Sequence, residues 1–394
     1  MVAAYLQNAM PNAKNSHPGT IRELVGLFLK LGCIGFGGPA ATIAMMDDEV
    51  VSRRRWLSRE HFLDLVGATN LIPGPNSTEM AMHVGYERCG FAGLAAAGFS
   101  FILPAALITG VMGWLYAEYG ALPEVEPFLL GIKPAVIAII LAALWRLGNT
   151  ALKSTTLVPI GVGVAGALVL GVDEIIALLG GGLLGIVWLR ALELRAAHAH
   201  VGLIGLAAFG AATMQSSGQE VSLWKLSLFF LKVGCVLYGS GYVLIAFLEG
   251  DLVETYGWLT RQQLLDAVAI GQVTPGPVLT TATFIGVFLA GLPGGALATL
   301  AIFLPSFVFV AILNPLIPKL RRSPVMASFL DAINVSALAL MLVVTVRLGV
   351  AVLTSWPPWV IFASAAVLVF RYRINAATIV VGGAVLGYAL GLLK

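Results

Sequence analysis

The sequence is short of charge. Only 11% of its 394 residues are charged, with 23 lysines and arginines against 20 aspartates and glutamates, while 59% are hydrophobic. A soluble domain has about a quarter charged residues, so a soluble enzyme and a disordered chain are both excluded. The net charge of +3 leaves no basic surface for phosphate backbones, which excludes a nucleic-acid-binding protein. The composition therefore predicts a polytopic membrane protein.

Cysteine and catalytic motifs are equally scarce. The three cysteines lie far apart and show neither disulfide nor zinc-ligand spacing. The chain has no GxxxxGK[ST] motif, so it binds no ATP through a P-loop, and uphill transport must draw on an ion gradient or on a separate protein. An intramembrane enzyme would need a cluster of Asp, His or Cys, and only Glu79 with His83 comes near one. We therefore expect no enzyme, no cofactor and no metal site.

Long apolar segments and an internal repeat organise the chain. Residues 28–78 align without gaps on residues 230–280, with 19 identities in 51 pairs. Because about 20 apolar residues span a membrane, the apolar segments predict an all-α protein with about ten transmembrane helices. The repeat predicts four parts, namely an N-terminal tail (1–20), a first repeat (21–198), a linker with a short apolar segment (199–218) and a second repeat (219–394).

Lysine and arginine change sides between the halves. The loop after the first apolar segment is basic in half one, over Arg53–Arg59, but carries only Arg261 in half two. The loop after the long proline-containing segment is basic only in half two, over Lys319–Arg322. Since cytoplasmic loops collect lysine and arginine, this exchange predicts two homologous halves in inverted topology.

Helix-breaking motifs recur at matching places in both halves. Gly35-Phe36-Gly37-Gly38-Pro39 corresponds to Tyr238-Gly239-Ser240-Gly241, and Asn70-Leu71-Ile72-Pro73-Gly74-Pro75-Asn76 to Gln272-Val273-Thr274-Pro275-Gly276-Pro277. Helices broken at membrane depth free backbone N–H groups, and a helix restarting after a PGP motif offers its positive dipole end to an oxyanion. Close packing would explain one such motif, but paired breaks in an inverted repeat are typical of transporter sites. We therefore expect re-entrant PGP segments and substrate-binding residues at Gly37, Gly38, Asn70, Pro73, Gly74, Pro75, Asn76, Gly239, Ser240, Gly241, Gln272, Thr274, Pro275, Gly276 and Pro277.

A few charged residues lie within these apolar segments. Lys30 and Lys232 occupy equivalent positions shortly before the glycine motifs, and they either supply countercharge to a bound anion or snorkel to the membrane surface. Glu79 follows the first PGP motif and has no acidic counterpart in half two, which makes it the candidate for proton coupling. Asp266 lies near Arg261, which predicts an interfacial ion pair or a helix cap.

These motifs resemble the chromate ion transporter family in its long, two-domain form. The resemblance rests on Gly35–Pro39, the Trp56-Leu57 junction, Pro73–Pro75 and Thr274–Pro277, and it covers both halves of the chain. It implies a multi-pass protein of the bacterial inner membrane that exports chromate from the cytoplasm, driven by the proton-motive force, and so confers chromate resistance. Half two departs from the pattern because Tyr238–Gly241 contains no proline.

The residues themselves leave the cargo open. Chromate and sulfate are tetrahedral dianions of similar size, so backbone N–H groups and one or two lysines would bind either ion. The alternative function is therefore transport, including uptake, of sulfate or another oxyanion. Membrane lipids and the coupling proton complete the expected partners. A homodimer and channel behaviour are further possibilities that the sequence leaves open.

Overall fold

The computed structural model describes residues 20–120, 122, 125–197, 221–239, 241–314 and 323–391. Within these ranges every regular element is a helix, as predicted for an all-α protein. The predicted tail before residue 20, the linker 199–218 and the basic segment Lys319–Arg322 lie outside the described residues.

Among the described residues, each half contains seven α-helices in the same order. Those of the first half are α1 (Ile21–Ile34), α2 (Gly38–Asp47), α3 (Arg59–Thr69), α4 (Asn76–Tyr119), α5 (Glu126–Ala151), α6 (Val158–Val169) and α7 (Glu174–Ala197). Those of the second half are α8 (Leu223–Val236), α9 (Leu244–Phe247), α10 (Arg261–Val273), α11 (Thr281–Leu313), α12 (Pro324–Val352), α13 (Trp356–Tyr372) and α14 (Ala376–Gly391). Both α2 and α9 continue into π-helical turns, at Asp48–Arg53 and Leu248–Thr255. The repeat found in the sequence therefore extends to the secondary structure.

Local sequence explains where α1, α3 and α10 begin. The Thr20 hydroxyl accepts a hydrogen bond from the Glu23 amide, and the Glu23 carboxylate accepts one from the Thr20 amide, which is a complete capping box. Thr260 and Gln263 form the same box at α10. The Ser58 hydroxyl caps α3. These caps satisfy backbone N–H groups that a helix cannot pair internally.

The first apolar segment of each half is a broken helix, as the glycine motifs predicted. The chain leaves α1 at Gly35 and re-enters a helix at Gly38, after Gly37 has adopted a left-handed φ of 99°. In half two the break follows α8, and the chain resumes as a 3₁₀ turn at Gly241. Glycine adopts such backbone angles without the steric cost that other residues meet.

Each PGP motif forms the tip of a helical hairpin. Hairpin 1 consists of α3, the Pro73–Pro75 turn and residues 76–88 of α4, which ends where Gly90 breaks the helix with φ 59°. Hairpin 2 consists of α10, the Pro275–Pro277 turn and residues 278–289, up to the matching break at Gly291. With 11 residues, α3 is about 16 Å long, far short of the roughly 30 Å of a bilayer core. Residues 76–88 form a second limb that is similarly short. The two limbs of hairpin 1 can therefore enter a membrane and return, but neither limb alone can cross it.

Small residues let the broken helices lie close to the long ones. A Cβ on Gly32 of α1 would come within 2.7 Å of the Phe101 carbonyl oxygen of α4, beside Pro104. A Cβ on Gly234 of α8 would overlap the Ile302 carbonyl oxygen of α11, beside Pro305. The repeated Lys-x-Gly-Cys sequence therefore contains glycine because the backbones cross there.

The two halves interleave around a shared core. Helix α4 packs along α11, α5 packs on α13 and α14 of the other half, and α12 packs on α6 and α7. Four helices of the described chain are long and apolar enough to cross a membrane, at Asn76–Tyr119, Glu126–Ala151, Val278–Ile312 and Pro324–Val352. Outward faces carry large apolar side chains such as Trp114 and Val187, as lipid contact requires. The total of about ten spans stays a prediction.

Candidate substrate site where the two halves meet

The tips of the hairpins meet the helix breaks of the opposite halves. The Gly74 amide donates a hydrogen bond to the Leu237 carbonyl, which follows α8, at 2.9 Å. The Gly276 amide donates one to the Gly35 carbonyl, which follows α1, at 3.0 Å. Each tip therefore satisfies a carbonyl that the end of the broken helix leaves unpaired. These reciprocal contacts bring each PGP motif against the glycine motif of the other half.

The half-one tip also holds a buried carboxyl group. Glu79 is fully buried on the first limb of α4, and its Oε1 accepts a hydrogen bond from the Ser306 hydroxyl of α11 at 3.3 Å. Its Oε2 is buried and has no hydrogen-bond partner among the described residues. Gly74 lies against it, because a Cβ at Gly74 would overlap both the Glu79 carboxylate and the Ser306 hydroxyl. The glycine of the first PGP motif thus makes room for the acid.

Polar side chains surround both tips. The Asn76 amide donates to Asn70 Oδ1 at 2.8 Å, and Asn70 in turn donates to the Val66 carbonyl. In half two the Tyr242 hydroxyl donates to Gln272 Oε1 at 3.2 Å. By helix geometry, the first two amides of α4 have no acceptor within the helix. They are donors of the kind that an oxyanion requires.

The remaining predicted tip residues are buried or take part in the turns. Pro73, Gly74, Pro75, Thr274, Pro275 and Pro277 are buried, while Gly276 and Gln272 are half-buried. Gly37, Gly38 and Gly239 have positive φ at the breaks, and Gly241 begins the 3₁₀ turn. Ser240 lies outside the described residues. The amides of Gly74 and Gly276 already bond to carbonyls, so neither is free to bind an anion.

The two predicted lysines lie in matching ion pairs. Lys30 Nζ is 2.7 Å from Glu49 Oε1, and Lys232 Nζ is 2.8 Å from Asp251 Oδ2. Both carboxylates lie on the π-helical turns and are nearly buried, while the lysine side chains are about half exposed. An anion that uses either lysine therefore competes with a carboxylate already in place. The sequence pattern did not single out these acids, although Glu49 and Asp251 occupy equivalent positions of the two repeats.

A second buried charge cluster, which the sequence did not reveal, joins hairpin 2 to the first half. Asp266 of α10 accepts a hydrogen bond from the Tyr116 hydroxyl at 2.8 Å and lies 3.9 Å from Lys133 Nζ. The predicted pairing of Asp266 with Arg261 is wrong, because Arg261 binds Glu249 and Glu254 instead. Lys133 has no lysine counterpart in half two, because Asn334 occupies the equivalent position.

These features define a membrane transporter built from two repeats, in which each hairpin tip meets the helix break of the other repeat. The model of the chromate transporter family matches the chain twice, over residues 22–186 and 224–388. The chain therefore belongs to the chromate transporter family and is a multi-pass membrane protein. Its family is one of transporters, and neither the matches nor the site indicates an enzyme.

Proteins named for chromate transport match most of the chain. A probable chromate transport protein of Synechococcus elongatus is 32% identical over 82% of this chain and 83% of its own length. The chromate transport protein of Cupriavidus metallidurans is 29% identical over 93% of this chain and 92% of its length. That of Pseudomonas aeruginosa is 31% identical over 94% and 92%. No solved structure matches this chain.

Proposed function

We propose that this protein exports chromate from the cytoplasm across the bacterial inner membrane, driven by the proton-motive force, and thereby confers chromate resistance. The relatives named for chromate transport support the cargo. The observation that carries the proposal is the reciprocal contact of the tips, with Glu79 buried beside Gly74. Discontinuous helices that meet at a repeat interface are the usual construction of a secondary transporter's site.

The substrate would bind between the tips and the helix breaks. Backbone amides at the start of α4 would face the oxyanion, with Asn70, Asn76 and Gln272 as further donors. A charged Glu79 repels a dianion strongly in a site of low dielectric constant, whereas a protonated Glu79 admits it. Proton binding and chromate binding would therefore favour each other, so one proton would leave with each dianion, and the electrical part of the proton-motive force would drive the net negative charge outward. The coupling depends on the fact that burying an unpaired carboxylate is costly.

The inverted arrangement of the halves is part of the same proposal. The exchange of basic loops and the reciprocal tip contacts both support a pseudo-twofold axis in the membrane plane. Alternating access would then come from rocking of one half against the other around the fixed tips. The membrane potential, negative inside, favours outward movement of a dianion by about 2.3 kcal/mol per charge for each 100 mV.

Chromate uptake into inside-out vesicles tests the proposal. Vesicles from cells that express the chain are given a membrane potential alone, a pH gradient alone, or neither, and radiolabelled chromate uptake is measured. We expect a potential positive inside the vesicle to drive uptake and a protonophore to collapse it. Uptake that follows the potential but ignores an imposed pH gradient would instead indicate a channel.

Two additions to this assay test the site and the cargo. Glu79→Gln mimics the protonated acid, so its uptake should lose the rise that the wild type shows as pH falls on the loading side. Unlabelled sulfate should compete with chromate only at a large excess. Equal competition by sulfate would favour the alternative function, transport of sulfate or of oxyanions in general.

A further inference from the structure

Three titratable side chains form a ladder along one face of hairpin 1. Glu79, His83 and Glu87 lie four residues apart on the first limb of α4, so they follow one another on successive turns of the same face. Glu79 is 0% and His83 1% exposed, whereas the Glu87 side chain is 32% exposed. The ladder therefore runs from the buried tip to the accessible base of the hairpin.

A second histidine lies at the open end of this ladder. His61 of α3 places its Nε2 3.4 Å from Glu87 Oε2, and its side chain is 43% exposed. His61 and Glu87 both lie within electrostatic range of His83. A proton taken up by this surface pair is one helical turn from the buried imidazole.

The hydrogen bonds of His83 leave one ring nitrogen for proton transfer. Its Nδ1 lies 3.2 Å from Asn314 Oδ1, and an amide oxygen only accepts, so the hydrogen of the neutral ring belongs on Nδ1. Among the described residues neither His83 Nε2 nor Glu79 Oε2 has a hydrogen-bond partner, although both atoms are buried. These two atoms belong to adjacent turns, a gap that one water molecule or a rotation of the side chains can bridge.

The ladder belongs to one repeat only. The equivalent positions of half two hold Thr281, Ile285 and Leu289, and the Thr281 hydroxyl donates to the Val278 carbonyl in its own turn. The same hairpin therefore forms without any titratable group at these positions. Because burying a carboxyl and an imidazole is costly, packing alone does not account for the ladder in half one.

We propose that His83 and Glu87, with His61 at the entrance, conduct the coupling proton between the aqueous side at the base of hairpin 1 and Glu79. A proton from the His61–Glu87 pair adds to His83 Nε2 and gives an imidazolium. The Nε2–H then passes the proton to the Glu79 carboxylate, and His83 returns to the neutral form with hydrogen on Nδ1. This path rests on the proposed function, in which Glu79 is the coupling group.

Few charged or polar side chains of the described residues lie near His61, His83 and Glu79. Asp64 lies within electrostatic range of His61 on the same helix, α3, while Asn314, just after α11, and Ser306 of α11 contact His83 and Glu79. Tyr238 lies within electrostatic range of Glu79. The neighbouring Arg88 turns its guanidinium onto the Trp56 ring, 4.8 Å from the ring centroid. Within the described chain the buried part of the path therefore meets neutral side chains.

His83→Ile tests the path, because isoleucine is the residue that the equivalent position of half two accepts. Purified protein is reconstituted into liposomes that contain a pH-sensitive dye, and two rates are measured. One is chromate–chromate exchange at equal concentrations, which needs no net proton movement. The other is proton movement that accompanies a chromate gradient. Ile285→Val is the matched control in half two, and His83→Glu restores a titratable group.

We expect His83→Ile to keep exchange within about twofold of the wild type while the coupled proton movement falls at least tenfold. His83→Glu should recover a measurable part of that movement, and Ile285→Val should change neither rate. Wild-type proton movement in His83→Ile would overturn the path and leave the proposed function intact. A wild-type protein that moves chromate without any protons would overturn the coupling through Glu79, and the path with it. Loss of exchange and proton movement together would show that His83 serves the fold or the substrate site, which also contradicts the path.

Discussion

The two hairpins share a sequence pattern but not an environment. Leu63 of hairpin 1 is 58% exposed, whereas its equivalent Leu265 in hairpin 2 is 1% exposed. The α10 limb of hairpin 2 packs on α5 and α14, where Asp266 meets Lys133, whereas the α3 limb of hairpin 1 packs on α4 of its own half. The difference therefore lies in what surrounds the hairpins. Two equivalent elements in unequal surroundings are what one state of a rocking inverted repeat would show.

The ends of the hairpins away from the tips, here called the bases, also differ in their surroundings. Arg347 of α12 binds Glu249 and Glu254 near the base of hairpin 2 and also donates to the Leu168 carbonyl of the first half. Its equivalent Arg146 donates to the Ala142 carbonyl of its own helix. Among the described residues, Arg347 therefore joins its hairpin base to the other half, whereas the hydrogen bond of Arg146 stays within its own helix. In the opposite state we expect the two arginines to exchange roles.

The largest expected effect concerns the sides of the membrane that the two bases face. Glu60 and Gln262 are equivalent, exposed positions at the starts of α3 and α10. In a chain whose three native cysteines are replaced by serine, Glu60→Cys and Gln262→Cys should react with an impermeant maleimide from opposite sides. In intact cells one of them labels and the other labels only after permeabilisation. Labelling of both from one side would contradict the inverted repeat.

Alanine at the two tip glycines should separate their roles. Gly74 has φ 144° and faces Glu79 and Ser306, whereas Gly276 has φ 93° and a Cβ there would lie 2.8 Å from the Ala105 Cβ. Overpacking costs typically 1–3 kcal/mol, with backbone strain added. We expect Gly74→Ala to abolish chromate transport in vesicles and Gly276→Ala to reduce it about tenfold. Gly26→Ala, in open space on α1, is the control and should transport normally.

Much of this fold follows from the sequence because repetition is visible there. The offset between Pro73–Pro75 and Pro275–Pro277 places both tips, and the glycine motifs place both breaks. Their meeting could be expected only from the typical construction of such transporters. The reciprocal hydrogen bonds of Gly74 and Gly276 depend on how the halves dock, which no local pattern encodes.

The partners of the charged residues were harder to predict. Lys30 and Lys232 stand out as lysines in apolar segments, but their carboxylates lie about 20 residues further along the chain, on π-helical turns. Lys133 pairs with Asp266 across the two halves, and nothing local to either residue indicates the other. Long-range ion pairs of this kind depend on helix packing, to which single-sequence periodicity is blind.

Removing the two equivalent arginines should affect stability unequally. Arg347→Met deletes bonds to a fully buried Glu249 and to the first half. Hydrogen bonds to charged groups contribute about 1.5–3 kcal/mol, so the free energy of unfolding should fall by that amount. Arg146→Met should change it by under about 0.5 kcal/mol. Thermal unfolding in detergent measures both, and equal losses would contradict the asymmetry of the two bases.

The smallest expected effects distinguish the two lysines. Glu49 also binds Arg53 and Arg54, so Lys30→Met should cost under about 1 kcal/mol of stability. Asp251 is 7% exposed and depends more on Lys232, so Lys232→Met should cost about 1–2 kcal/mol. Detergent melting curves of the two variants check this order.

Transport kinetics then decide whether Lys232 also serves the anion. If it supplies countercharge, Lys232→Met raises the KM for chromate, and adding Asp251→Asn leaves that KM high because no cation returns. If the lysine only neutralises its acid, the double variant recovers the wild-type KM, since neither charge is then left unpaired. Asp251→Asn alone sharpens the distinction, because freeing the lysine should lower the KM only in the first case. The same three variants at Lys30 and Glu49 should show weaker changes, because two arginines remain beside that carboxylate.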